Sequence, residues 1–313
     1  MGFSVYVTRP LPEGGLRLLE ESSDIDSLEV NPDDRPLGRG EILRAVKGRD
    51  GILTILHDRI DEEVMAAGKR LRVISNYAAG LDNIDLEAAA RRGVVVTNTP
   101  DILTDATADF TWALILGIAR RVVEGERFTR EMKYLHWGPS LLLGAAVAGK
   151  RLGIVGAGRI GTAVGLRALG FRMEVGYTSR QANQRLESEV GARRLELADL
   201  LEQSDFVTLH VPLTPETRGL IGEKEFGWMK STAFLINTAR GPVVVEGALS
   251  RALREGRLAG AALDVYEREP EIHPDLIRRE NVILTPHAGS ATEEARLAMA
   301  TMACENLLKA LLK

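Results

Sequence analysis

The chain has a single cysteine, Cys304, so it cannot close an internal disulfide; a disulfide-stapled fold is excluded and a reducing, cytoplasmic setting is the default expectation. No apolar run is long enough to cross a bilayer, since residues 110–119 are too few and are bounded by Asp109 and Arg120, so no membrane partner is expected. Excess positive charge is also missing: the formal net charge of −4 gives no electrostatic footprint for nucleic acid. His57, His136, His210, His273 and His287 show no ligand spacing such as HExxH, and no metal is assigned. There is no Pro/Ser-rich linker, low-complexity run or repeat of fixed period. With 313 residues, 45% of them hydrophobic and 27% charged, the chain has the composition and length of an ordinary globular protein of two domains.

What is present is an alternation of β and α signals, which implies parallel sheets. The patterning predicts strands over 4–8, 27–30, 51–56, 72–76 and 94–97, and then over 151–155, 171–177, 206–210, 233–237, 259–265 and 281–284. A long apolar helix is predicted over 101–124. A last amphipathic helix over 292–312, with Ala295, Met299, Met302, Leu307 and Leu311 on its apolar face, is expected to pack back on the amino-terminal domain.

In the middle stands Arg151-Leu-Gly-Ile-Val-Gly-Ala-Gly-Arg-Ile-Gly161, a buried strand turning through three glycines into a helix. Gly156 suits the tight turn, Gly158 lets the backbone approach a pyrophosphate, and Gly161 lets helix and strand pack closely, while the helix amino end offers N–H groups to phosphate. Ile160, Ala163, Val164, Leu166, Ala168 and Leu169 supply the helix's apolar face. A cradle starting near residue 150 suggests a nucleotide domain inserted into another domain.

The next strand ends in Tyr177-Thr178-Ser179-Arg180 with no acid to accept from the adenosine ribose hydroxyls. Arg180 and the hydroxyls of Thr178 and Ser179 offer a cation and donors to a 2′-phosphate, which favours NADP (NADPH), with NAD as the weaker alternative. The competing readings are that Glu174 is the ribose acid, or that Arg180 is a solvated loop charge.

Three further segments end later strands, where an open parallel sheet holds its ligands: Asn237-Thr-Ala-Arg-Gly241, Asp264-Val-Tyr-Glu-Arg-Glu-Pro270 and Thr285-Pro-His-Ala-Gly-Ser290. Together with Gly80-Leu-Asp-Asn-Ile-Asp85 and the inserted-domain order, the chain resembles, essentially end to end, the D-isomer-specific 2-hydroxyacid dehydrogenase family. Residues 76–85 and 97–109, with Tyr177-Thr-Ser-Arg180, are most similar to its glyoxylate/hydroxypyruvate reductase branch.

The resemblance implies an α/β fold of two doubly wound parallel-sheet domains, a Rossmann dinucleotide-binding domain (99–286) inserted into a flavodoxin-like substrate domain (1–98 and 287–313). It also implies NAD(P)H-dependent reduction of a small 2-oxo acid such as glyoxylate or hydroxypyruvate. That reaction needs a proton for the developing alkoxide and a cation for the carboxylate. His287 can give the proton, Glu269 can hold the far imidazole nitrogen, and the planar fork of Arg240 can grip the carboxylate. Each has a plainer reading: a surface ion-pair arginine, a solvated acidic loop that includes Glu267, Glu271 and Asp264, and a structural loop histidine.

By the same resemblance, the small residues Ala79 and Gly80 present backbone donors to the substrate and Leu56 lines its pocket. Coenzyme contacts fall to Thr107, Gly156, Ala157, Gly158, Arg159, Ile160, Gly161, Ser179, Arg180, Val211, Pro212, Thr238, Ala239, Asp264 and Gly289. A homodimer is expected; Trp137 either reaches a neighbouring subunit or is an ordinary core tryptophan, and residues 141–148 are more apolar than the matching family segment. The alternatives are an NAD-dependent relative acting on D-lactate, phosphoglycerate or phosphite, and a dinucleotide-sensing module like the C-terminal-binding-protein corepressors. NADPH oxidation with glyoxylate discriminates among them.

Overall fold

Short runs rich in Val, Ile and Leu form the strands, as their stiff or branched side chains favour. The computed structural model describes residues 2–313, in two domains: residues up to Leu103 with Ala291–Lys313, and Thr104–Ser290. In the first domain the strands are β1 (Phe3–Val7), β2 (Ile25–Val30), β3 (Gly51–Ile55), β4 (Val73–Tyr77) and β5 (Val95–Thr97). They form one parallel sheet of order β2-β1-β3-β4-β5, the flavodoxin-like doubly wound arrangement.

The helix Glu293–Leu311 belongs to this domain. It buries Met299, Ala303, Cys304, Leu307 and Leu311 against Val5, Val7, Leu53 and Val73, and Ala303 O accepts from the Ser75 hydroxyl at 2.7 Å. Thus the last stretch of chain completes the core begun by the first.

The second domain holds β6 (Arg151–Val155), β7 (Glu174–Thr178), β8 (Arg193–Arg194), β9 (Phe206–Leu209), β10 (Phe234–Asn237), β11 (Gly260–Leu263) and β12 (Val282–Leu284). All neighbours are parallel, in the order β12-β11-β10-β9-β6-β7-β8. The strand order reverses between β6 and β9, and such a switch point is where an open sheet offers a crevice at its carboxyl ends.

Three sequence expectations are corrected, and one strand was not foreseen. The helix expected over 101–124 is two, Thr104–Ala119 and Val122–Arg130. The carbonyl of Ala119 accepts from Ala145 N at 2.7 Å, which diverts it from the helical ladder, and Arg121 takes a left-handed φ of 54° at the break. Leu169 lies in a 3₁₀ turn after the helix Arg159–Arg167 and is 50% exposed, so it is not part of that helix's apolar face. Trp137 is 76% exposed, which removes the core-tryptophan reading. The edge strand β8 has no apolar run to announce it.

Candidate active site

Backbone geometry explains each glycine of the β6 loop. Gly156 has φ 99°, and a Cβ there would lie 2.7 Å from the carbonyl carbon of His210. A Cβ at Gly161 would sit 2.1 Å from Gly156 O. At Gly158, the cap of the helix Arg159–Arg167, a Cβ would meet nothing, so the side facing the helix end is open. An open approach to a helix amino end suits a pyrophosphate, and the loop therefore fits a dinucleotide. Ala157 and Ile160 are half-buried on the same turn, and Arg159 is exposed. Glu174 opens β7 and pairs with Arg151 at 2.7 Å, at the amino end of the strand. Ser179 and Arg180 follow its carboxyl end.

Val211 and Pro212 leave β9 beside this loop, directly after His210. Both ring nitrogens of His210 are sealed from solvent with no hydrogen-bond partner among the described residues, although part of the residue reaches the surface. Burial lowers its pKa from 6.5 to about 3. Between those values an unfolded chain takes up a proton that the folded chain refuses. The stability contributed is therefore complete above pH 6.5 and lost as the pH falls towards 3, by about 1.4 kcal/mol per pH unit. His210→Phe is expected to flatten the fall of Tm between pH 6 and pH 4 relative to the parent; two parallel curves would refute this account.

The three candidate catalytic side chains follow three neighbouring strands. Arg240 stands three residues after β10, its Nη1 donating to Ala239 O at 2.8 Å and its carbonyl accepting from Asn237 Nδ2 at 3.0 Å. Gly241 then crosses the next loop so closely that a Cβ would overlap the Tyr266 carbonyl at 1.8 Å. Only glycine allows this approach, which ties the Arg240 turn to the loop bearing Glu269.

Glu246 and Glu267 brace that loop reciprocally, each accepting the other's backbone N–H, at 2.8 and 3.2 Å. Tyr266 N donates to Glu269 Oε1 at 3.1 Å, and Glu269 Oε2 lies 2.9 Å from His287 Nδ1. A carboxylate only accepts, so Nδ1 carries the hydrogen and Nε2 is the nitrogen turned to chemistry. Tyr266 itself is buried, which pushes its phenol up to about 12, and its OH donates to Thr285 O at 2.7 Å.

His287 adopts a left-handed φ of 54°, held by Asp264. The buried Asp264 carboxylate accepts from Thr285 Oγ1 at 2.7 Å and from the N–H groups of Ala288 and Gly289, both at 2.8 Å, while its carbonyl accepts His287 N at 2.9 Å. Its geometry makes Asp264 the clamp of the His287 loop. Beside it, Thr107 is buried and packs near Gly289, and Thr111 Oγ1 shares a hydrogen bond with Thr238 Oγ1 at 3.0 Å. Thus Thr238, Ala239, Asp264 and Gly289 follow the carboxyl ends of β10, β11 and β12, and Thr107, on the helix Thr104–Ala119, packs beside Gly289.

In the first domain, three asparagines to which the sequence motifs assign no role, Asn76, Asn83 and Asn98, organise the loop after β4. Asn76 Nδ2 donates to Gly80 O and Asn83 Oδ1, both at 3.0 Å, and Asn98 Nδ2 donates to Ala79 O at 2.7 Å. Asn83 Nδ2 reaches Ile55 O and Asp58 O at 3.1 and 3.0 Å, bracketing Leu56. With these carbonyls occupied, the N–H groups of Ala79 and Gly80 have no acceptor among the described residues of the domain. Asparagines flanking a small-residue turn were the available signal.

Known proteins share both the pattern and the fold. Residues 112–289 match the family described as D-isomer specific 2-hydroxyacid dehydrogenase, NAD binding domain. A glyoxylate reductase of Thermococcus kodakarensis is 50% identical over 308 residues, covering 97% of this chain and 92% of that protein. A crystal structure from Thermus thermophilus superposes with a TM-score of 0.90 at 45% identity, covering 99% of this chain and 97% of that one. The NADPH-dependent glyoxylate/hydroxypyruvate reductase of Sinorhizobium meliloti, solved with NADP and malonate, gives 0.86 at 30% identity over 100% and 94%.

Proposed function

Because the chain belongs to the D-isomer-specific 2-hydroxyacid dehydrogenase family, we propose that it reduces a small 2-oxo acid, glyoxylate or hydroxypyruvate, to the 2-hydroxy acid with NADPH. The observation that carries this reading is the 2.9 Å His287–Glu269 pair, set at strand ends beside the Arg240 turn. When bound, the nicotinamide coenzyme supplies the hydride that adds to the carbonyl carbon. His287 gives the Nε2 proton to the carbonyl oxygen as its π pair is released onto it, and Glu269 balances the charge of the imidazolium that precedes transfer. Arg240 binds the substrate carboxylate through its fork and polarises the ketone. The amides of Ala79 and Gly80 are assigned to the substrate as further anion donors, and Leu56 to lining it.

The glycine loop, with Ala157, Arg159 and Ile160, is assigned to the pyrophosphate, and Ser179 and Arg180 to a 2′-phosphate. Val211 and Pro212 are assigned to the adenosine side, and Thr107, Thr238, Ala239, Asp264 and Gly289 to the nicotinamide side. The placement of Glu174 at the far end of β7 supports NADPH over NADH, since no acid follows that strand. A homodimer is supported by the exposed apolar side chains Val122, Met132, Leu135, Trp137 and Leu143. The buried, unpaired Cys304 suits a cytoplasmic setting.

The test is a spectrophotometric panel of small 2-oxo acids against NADPH and NADH. Rapid NADPH oxidation with glyoxylate or hydroxypyruvate supports the reading, and inertness towards both acids overturns it. Arg180→Ala is expected to raise the KM for NADPH by about 10-fold or more and to leave that for NADH within about 2-fold. Equal losses for the two coenzymes would count against the 2′-phosphate assignment.

A further inference from the structure

Residues 178–183, which carry Ser179 and Arg180, are anchored at both ends by side chains. At one end Asn183 Nδ2 donates to Ala157 O at 2.9 Å and to Thr162 Oγ1 at 2.7 Å, joining this segment to the glycine loop. Its backbone N–H donates to the Tyr177 hydroxyl at 2.8 Å. At the other end Arg194, on the two-residue edge strand β8, reaches back across the turn. Its Nε and Nη2 donate to Ser179 O at 3.2 and 2.9 Å, and Nη2 also donates to Arg180 O at 3.0 Å.

That use of an exposed arginine is informative. A guanidinium at a surface ordinarily pairs with a carboxylate, whereas here its fork holds two consecutive carbonyls. With both carbonyls committed to Arg194, the N–H groups of Ser179 and Arg180 and the Arg180 side chain are what remain to meet a ligand. The Ser179 hydroxyl folds onto Gln181 O and tightens the same turn. Arg194 also places a second guanidinium beside Arg180. Of the carboxyls near this turn, Glu187 accepts from the Tyr177 hydroxyl, and Glu216 is held below its usual range by the Thr214 hydroxyl first, then by its own backbone N–H and, more weakly, by Arg180.

We propose that Arg194 is a positioning residue for coenzyme selectivity. It fixes the Ser179–Arg180 turn in the form that receives an adenosine 2′-phosphate and contributes little to the rest of the dinucleotide. This inference rests on the NADPH preference proposed for the chain. Preorganisation is the physical gain: a turn already ordered does not lose its conformational freedom when the phosphate arrives.

The experiment uses Arg194→Gln and Arg194→Lys with four probes: NADPH, NADH, adenosine 2′,5′-bisphosphate and AMP. In Arg194→Gln, calorimetric affinity for the two 2′-phosphorylated probes is expected to fall about 10-fold, with NADH and AMP unchanged within about 2-fold. Turnover at saturating NADPH should stay at the parent value, and amide exchange over 179–183 in the coenzyme-free protein should quicken. Arg194→Lys keeps the charge but not the fork, and should resemble Arg194→Gln.

Unchanged NADPH affinity in Arg194→Gln, parallel weakening of NADPH and NADH, or full restoration by lysine would overturn the proposal. A parent protein that binds NADH as tightly as NADPH would overturn the coenzyme preference and this inference with it. A parent that prefers NADPH, with Arg194→Gln behaving like it, would overturn this inference alone.

Discussion

Replacing His287 is expected to lower turnover by about 10³-fold while leaving NADPH affinity near the parent value. The separation follows from where the imidazole sits. Its Nδ1 is committed to Glu269 at 2.9 Å, so its remaining nitrogen is the only ring position that can deliver a proton. The residues assigned to phosphate follow the carboxyl ends of β6 and β7, on the other side of β9 from β12. The choice of substitution matters because residue 287 has φ 54°, a conformation that strains most side chains but that asparagine adopts readily. His287→Asn therefore removes the proton donor with less cost to the loop than His287→Ala, and the two should agree in turnover. Single-turnover absorbance at 340 nm reads the chemical step, and coenzyme fluorescence reads binding. Parent-like turnover in either variant would show that another group supplies the proton.

How far the sequence foretold this arrangement depended on whether a feature is local. The three glycines of the β6 loop were legible because turn, close approach and helix packing each need a missing side chain within a few residues. Parallel sheets were legible from alternating apolar runs, and so was the helix Glu293–Leu311, whose apolar positions recur at helical spacing.

What escaped was set by distant partners. The break near Arg121 arises because Ala145, more than twenty residues later, takes the Ala119 carbonyl. Strand β8 is two arginines held by the edge of β7, with no hydrophobic pattern of its own. The bracing of Glu269 by Tyr266 N, and of its loop by Glu246, could not be read from a cluster of acids that looked like a solvated loop. The oxygens of Asp264 also shape the His287 turn, a role visible only once β11 and β12 lie side by side.

Arg240 is where loss of one side chain should most damage substrate capture. A guanidinium that takes both oxygens of a carboxylate makes two charge-assisted hydrogen bonds, each worth about 1.5–3 kcal/mol. Their removal in Arg240→Ala should lower kcat/KM by about 10²–10⁴-fold. Lysine tests geometry against charge. The structure already uses one Nη1 hydrogen to hold Ala239 O at 2.8 Å, which fixes the plane in which the others point. An ammonium has no such plane; it cannot keep that anchor and also present two parallel donors. Arg240→Lys should therefore recover part of the affinity for the 2-oxo acid but little of the turnover, appearing as a smaller rise in KM beside a kcat still depressed at least about 10-fold. Added guanidinium ion should partly restore Arg240→Ala, because the turn itself stays in place: Asn237 holds its carbonyl and the Gly241 crossing holds its far side. Full activity in the lysine variant would mean that a positive charge alone suffices and that the fork has no part in orienting the ketone.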